Sequence, residues 1–151
     1  MLKLRKNKKG FTLVELIVVI AIMAVLAGTI AGVTVSQLNK QTDNANKTQA
    51  KKIADTIYTE LLENPDIKFA DTIENNVVTA TGMATELTTA YGDIVKCKTG
   101  DADVTAARGK EFKVTYDDTT KTYTVEYKGK QTSPKGDAKY TVNVETGVQE
   151  G

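Results

Sequence analysis

The sequence predicts an α+β fold: a long N-terminal helix, hydrophobic in its first half, packed on a small antiparallel sheet of three to four strands. Three observations carry this. Phe11 to Val35 is a run of 25 almost wholly apolar residues, and no proline or glycine interrupts Val33 to Asn64. Ile53, Ile57 and Leu61 recur at i, i+4, i+8, the spacing of one helix face. Between Phe112 and Val144, apolar residues alternate with polar ones at period two, the pattern of strands with one buried face.

The chain has 151 residues, 40% of them hydrophobic, and a formal net charge of +1. One domain is the expectation from length, and the apolar run leaves the remainder only a modest core. Lys3, Arg5, Lys6, Lys8 and Lys9 are five cations in the first ten residues with no acid among them. Without them the rest carries 15 basic and 19 acidic side chains, a formal −4. Such a body gives no reason to expect nucleic-acid binding. Cys97 is the one cysteine, so no intramolecular disulfide exists. Histidine is absent, which removes the commonest general base and metal ligand. No phosphate loop, nucleophile triad or zinc spacing is present, and neither a catalytic residue nor a cofactor is expected.

Taken in order, Met1 to Gly10 is a basic tail that belongs on the cytoplasmic side of a membrane. Phe11 to Val35 is long enough to cross a bilayer as a helix. Glu15 is its one charge, and a carboxylate at such depth is costly. An ordinary signal peptide would be cut after Ala27 or Ala31, and a plain signal anchor would keep the segment. Neither gives Glu15 a purpose.

Gly10-Phe11-Thr12-Leu13-Val14-Glu15, behind a lysine-rich leader and ahead of an unbroken apolar helix, resembles the class III leader of type IV pilins and related pseudopilins. The resemblance covers the first 35 residues. It implies that a prepilin peptidase cuts between Gly10 and Phe11 and methylates the new N-terminus. The domains are then a cleaved leader (1–10), a transmembrane and filament-core helix (11–35), and a helix continuation with a globular head (36–151). Glu15 matches the family's glutamate. Paired with a neighbouring subunit's terminal amine, it would set assembly register and relieve two costly unpaired charges.

The resemblance further implies a homopolymer, pilus assembly platform proteins as partners, and a prepilin held once through the cytoplasmic membrane before export to a surface pilus for adhesion or twitching motility. A secretion or DNA-uptake pseudopilin uses the same leader and stays open as an alternative. So does a secreted or membrane-anchored binding domain with an ordinary signal peptide. Many Gram-negative relatives close the C-terminal loop with a disulfide. This chain cannot, which hints at a Gram-positive source and leaves open how its C-terminal region is tied down.

Gly28 and Gly32, four residues apart on one helix face, permit close helix approach. They also weaken the helix there, with local unwinding a weaker inference than in relatives that carry a proline. Thr42 to Lys52 is polar, with Ala45 and Ala50 as small apolar positions. Asn46-Lys47-Thr48 is a sequon explained by chance. The Ile53 face, with Ala54, Tyr58 and Leu62 beside it, seeks a sheet. Pro65 ends the helix at about Asn64, because proline disfavours the helical conformation of the residue before it. The helix from Phe11 to Asn64 is then on the order of 80 Å long, at about 1.5 Å per residue.

Asn76 to Thr81 reads as a short strand and Met83 to Tyr91 as a short helix between Gly82 and Gly92. Ile94, Val95 and Cys97 suggest a strand edge or buried turn, with Cys97 a small buried apolar residue rather than a reactive thiol. Three strands follow, on Phe112, Val114 and Tyr116, on Tyr123, Val125 and Tyr127, and on Tyr140, Val142 and Val144. Asp117-Asp118-Thr119-Thr120 is the turn of the first hairpin. Lys128 to Lys139 is a longer loop. Thr115, Thr122, Thr124 and Thr141 fall on the solvent side. Asp101-x-Asp103 and Asp117-Asp118 are solvated turn acids, and no metal site is expected.

Overall fold

The structure is a computed structural model that describes residues 10–99, 106–132 and 134–151. It contains two compact units, Met1–Leu38 and Asn39–Gly151.

One helix, α1, spans Leu13–Glu63 and supplies residues to both units. It begins two residues later than the apolar run predicts and ends one residue before Asn64. The late start has a local cause in the Thr12 side chain, given below. At the other end Pro65 cannot continue the hydrogen-bond ladder, and the chain turns with Ile67 N–H donating to Asn64 C=O at 3.0 Å.

In the first unit every described side chain is exposed, including the apolar ones from Phe11 to Val35. Gly28 and Gly32 sit within unbroken helix, so the local unwinding considered for them is not seen. Thr29 and Thr34 turn their hydroxyls back onto the carbonyls of Leu26 and Ile30, at 2.9 Å each. This hides both donors inside an apolar stretch.

The second unit is the α+β head. After α1 come β1 (Thr72–Glu74), β2 (Val77–Ala80), α2 (Met83–Tyr91), a 3-10 turn (Gly92–Ile94), β3 (Val95–Thr99), β4 (Phe112–Asp117), β5 (Thr122–Tyr127), β6 (Ala138–Asn143) and β7 (Gly147–Glu150). β1 and β2 form a separate hairpin turned by Asn75 and Asn76, both at positive φ (51° and 64°). That is the backbone a tight two-residue hairpin needs, and asparagine tolerates it. α2 occupies the predicted span, with Gly82 and Gly92 as its caps.

The main sheet corrects the expectation of three to four antiparallel strands. It has five, in the order β3-β4-β5-β6-β7, and β3 runs parallel to β4 while the other neighbours are antiparallel. Parallel partners are joined by a crossover rather than a turn, so no local motif announces the pairing. β7 is short and follows a tight turn that the Tyr140-Val142-Val144 alternation obscured. Val144 lies in that turn, 42% exposed, not on the inward face. The β4–β5 turn is where Asp117 predicts it: its Oδ1 accepts from Thr119 N–H at 2.9 Å and its Oδ2 from the Thr120 hydroxyl at 2.9 Å.

The core is α1 against the inner face of this sheet. Ala50, Ile53, Ala54, Ile57 and Leu61 of α1 are buried, as are Phe112, Val114, Tyr123, Val125, Tyr127, Tyr140 and Val142 of the sheet. Phe69, Met83 and Leu87 join them. Leu62 and Ala45 are exposed, so the helix face is narrower than the expectation that placed Leu62 beside it. The four threonines lie on the opposite sheet face and are half-buried. Cys97 is half-buried against the core, and burial pushes its thiol up to about 11. The rings of Phe69 and Tyr116 stack at 5.9 Å, and Tyr116 meets Tyr123 at 4.5 Å.

One buried side chain does not follow from hydropathy. Asp43 of α1 is fully buried and is the first buried residue of the helix from its N-terminal end among the described residues.

Candidate functional site: the N-terminal processing and assembly segment

The expected processing and assembly residues gather at the start of α1. Gly10, Phe11 and Thr12 are non-helical and exposed, Phe11 by 88%. Open space surrounds the Gly10 α-carbon. The Gly10–Phe11 peptide therefore lies ahead of the helix.

Thr12 is the residue before the first helical position, and Glu15 is the third residue of the helix. Glu15 Oε2 accepts from Thr12 N–H at 2.8 Å and from the Thr12 hydroxyl at 2.8 Å. The Thr12 hydroxyl in turn accepts from Glu15 N–H at 3.3 Å. The first helical backbone bond runs from Leu16 N–H to Thr12 C=O at 3.3 Å. This is a capping box, in which cap and third-residue side chains satisfy each other's orphan donors. It gives Glu15 a role within its own helix that the sequence analysis did not assign. The signal was legible as Thr12-Leu13-Val14-Glu15, the S/T-x-x-E pattern ahead of an apolar run. The negative side chain also lies at the positive end of the helix dipole.

Both of these bonds use Oε2. They come from the Thr12 N–H and the Thr12 hydroxyl.

From Leu16 to Val35 the helix carries no charged residue, and its described large apolar side chains are 45–68% exposed. A helix of this kind is stable only when lipid or other helices surround it. Among the described residues α1 is the one helix long and apolar enough to cross a membrane. A Cβ placed on Gly28 would meet nothing within 4 Å, so within one chain this position is free for a neighbouring helix.

No group of acids and cysteines that could hold a metal ion is found among the described residues. Asp101 and Asp103 lie outside them, as does the basic leader up to Lys9. Asp118 pairs with Lys121 on the turn surface. Asn46 of the sequon is half-buried and donates to the Tyr127 hydroxyl at 2.8 Å, which gives that asparagine a structural role.

Comparison with protein-family models matches residues 5–31 to the prokaryotic N-terminal methylation motif. No curated protein matches the chain, and no solved structure does. The match covers the leader end, Gly10, Phe11, Glu15 and the apolar helix as far as Ala31, and it leaves the head unassigned. The chain thus carries the class III leader and N-terminal methylation motif of type IV pilin-like proteins.

Proposed function

We propose that the chain is a structural subunit of a type IV pilus, made as a membrane-held prepilin and polymerised through its N-terminal helix. The observation that carries this is the junction of two features at one helix end. The exposed Gly10–Phe11 peptide, with Glu15 five residues into the mature chain, stands directly ahead of a helix whose described apolar side chains up to Val35 are exposed.

In this reading a prepilin peptidase cuts after Gly10 and methylates Phe11. Extraction from the bilayer then exchanges lipid for neighbouring α1 helices, with Gly28 and Gly32 allowing close approach. Glu15 receives the terminal amine of a neighbour and fixes register. The head serves adhesion or motility from the filament surface and performs no catalysis.

The test is the intact mass and N-terminal sequence of the protein from its native cells, followed by filament imaging. A chain starting at methylated Phe11 supports processing, and long surface filaments support a pilus. Short envelope-spanning structures mean a secretion or DNA-uptake pseudopilin. A chain starting at Gly28 or Gly32 means an ordinary secreted domain and ends this reading.

A further inference from the structure

We infer that the backbone at Lys130 and Gln131 is an anion-binding nest whose occupant, the Asp43 carboxylate, is supplied by α1 of the same chain. This clasp is a non-covalent tie between α1 and the chain that leads from β5 to β6. It concerns the head alone and stands whether or not the chain forms filaments.

Asp43 Oδ1 accepts from the Tyr127 hydroxyl at 2.9 Å and from Lys130 N–H at 2.8 Å. Oδ2 accepts from Gln131 N–H at 3.0 Å. Two successive backbone N–H groups converging on one anion make a nest, and a buried carboxylate is retained only where such donors replace water. Hydrophobic residues at this helix position would pack at lower cost, so the charge marks a demand for specificity.

The loop is shaped around that demand. A Cβ on Gly136 would lie 2.6 Å from Asp43 Oδ2, and one on Gly129 would lie 2.3 Å from the Gly136 carbonyl oxygen. Both positions therefore require glycine for close backbone approach. On the other side of the loop, the Arg108 guanidinium donates to Gly129 C=O and Gln131 C=O, each at 3.1 Å. Donors of the loop face an anion and acceptors face a cation. Asp137 accepts from Gly129 N–H at 2.9 Å, and Lys47 of α1 donates to Lys135 C=O at 2.7 Å. The contacts of Asp43, Lys47 and Arg108 thus tie α1 and the approach to β4 to this loop, and Asp137 braces it from within.

The test is amide hydrogen exchange on the full chain in detergent. In Asp43→Ala the amides of Lys130 and Gln131 should exchange at least roughly tenfold faster, while those of β4, β5 and β6 keep their protection. Sodium formate, which fits the vacated nest, should restore protection at both amides, and sodium chloride at equal ionic strength should not. Unchanged exchange at Lys130 and Gln131, a uniform loss across the sheet, or equal effects of the two salts would each overturn the inference. Should Asp43→Ala fail to fold, Tyr127→Phe removes one donor and keeps the ring. Its Lys130 and Gln131 amides must then still accelerate ahead of the sheet, and acceleration in step with the sheet overturns the clasp.

Discussion

Thr12 and Glu15 cap one another, each side chain accepting from the other residue's backbone N–H. The acid of the apolar segment thus has hydrogen-bond partners within its own helix start. Glu15→Gln separates its two roles, because glutamine serves a capping box as glutamate does but carries no charge. If the charge sets register against a neighbour's amine, Glu15→Gln assembles as poorly as Glu15→Ala, with both at least tenfold down in sheared filament yield. Filaments of normal yield from the glutamine variant would assign Glu15 to capping alone.

Tyr123 is buried, and its hydroxyl has no hydrogen-bond partner among the described residues. Burial and the neighbouring Tyr116 hydroxyl push its ionisation well above the ordinary tyrosine range, so the group stays neutral and unpaired. An unpaired buried hydroxyl costs about 1–3 kcal/mol. Tyr123→Phe keeps the contacts with Phe69 and Tyr116 and removes that cost. Thermal unfolding followed by circular dichroism should show an unchanged or raised midpoint, and a fall of several degrees would mean that the hydroxyl has a partner in solution.

Leu61 and Leu62 are adjacent and chemically identical, yet Leu61 is 5% exposed and Leu62 is 55% exposed. Leu61→Ala should cost about 2–5 kcal/mol by opening a cavity. Leu62→Ala should stay within about 1 kcal/mol. Chemical denaturation of the two variants side by side measures the difference, and equal losses would contradict the narrow helix face.

Three aspartates hold the head's turns and its clasp with carboxyl groups below their ordinary range. Burial alone would raise Asp43, but hydrogen bonds from Lys130, Gln131 and Tyr127 outweigh it. The Thr85 hydroxyl and Gly82 N–H lower Asp71, and the Thr120 hydroxyl and Thr119 N–H lower Asp117. A depressed folded-state value means that the stabilisation is fully present above the unfolded value, about 4, and is lost as pH falls through the folded one. The head should therefore unfold more easily below about pH 4 and show little change between pH 6 and 8 from these groups. Asp43→Asn should flatten part of the acid limb of a melting-temperature profile against pH.

Cys97 should alkylate slowly in the native head. Its thiol is half-buried and shifted up to about 11, so little thiolate exists at neutral pH. Iodoacetamide labelling followed by intact mass should be slow until denaturant is added. Rapid native labelling would place Cys97 in solvent.

The elements with local signals were legible from the sequence. Helical spacing placed Ile53, Ile57 and Leu61 in the core, the glycine pair bounded α2, and period-two alternation located β4, β5 and most of β6. What failed has no local signature. The β3–β4 pairing joins strands without a turn, β7 is four residues long, and Val144 continues an alternation after the strand has ended. Asp43 looked like one more polar residue of a polar stretch. Its hint was phase, since it lies seven residues before buried Ala50 and so on the same face of the helix. The Thr12–Glu15 box had a readable motif, overshadowed by the cost of placing Glu15 in an apolar run.

The main sheet lists its strands in space in the order in which the chain makes them. From β4 onward each strand therefore pairs with the next in the chain, through tight turns at β4–β5 and β6–β7 and a longer loop at β5–β6, and zipping can proceed hairpin by hairpin at low entropic cost. The expensive closure is the one between helix and sheet: Asp43 and Lys130 are 87 residues apart. The rate at which the head matures should accordingly be set by how soon the last hairpins return to a helix that was synthesised first. Changes in the loop of Lys128 to Asp137 would then alter the speed of folding as well as the final state.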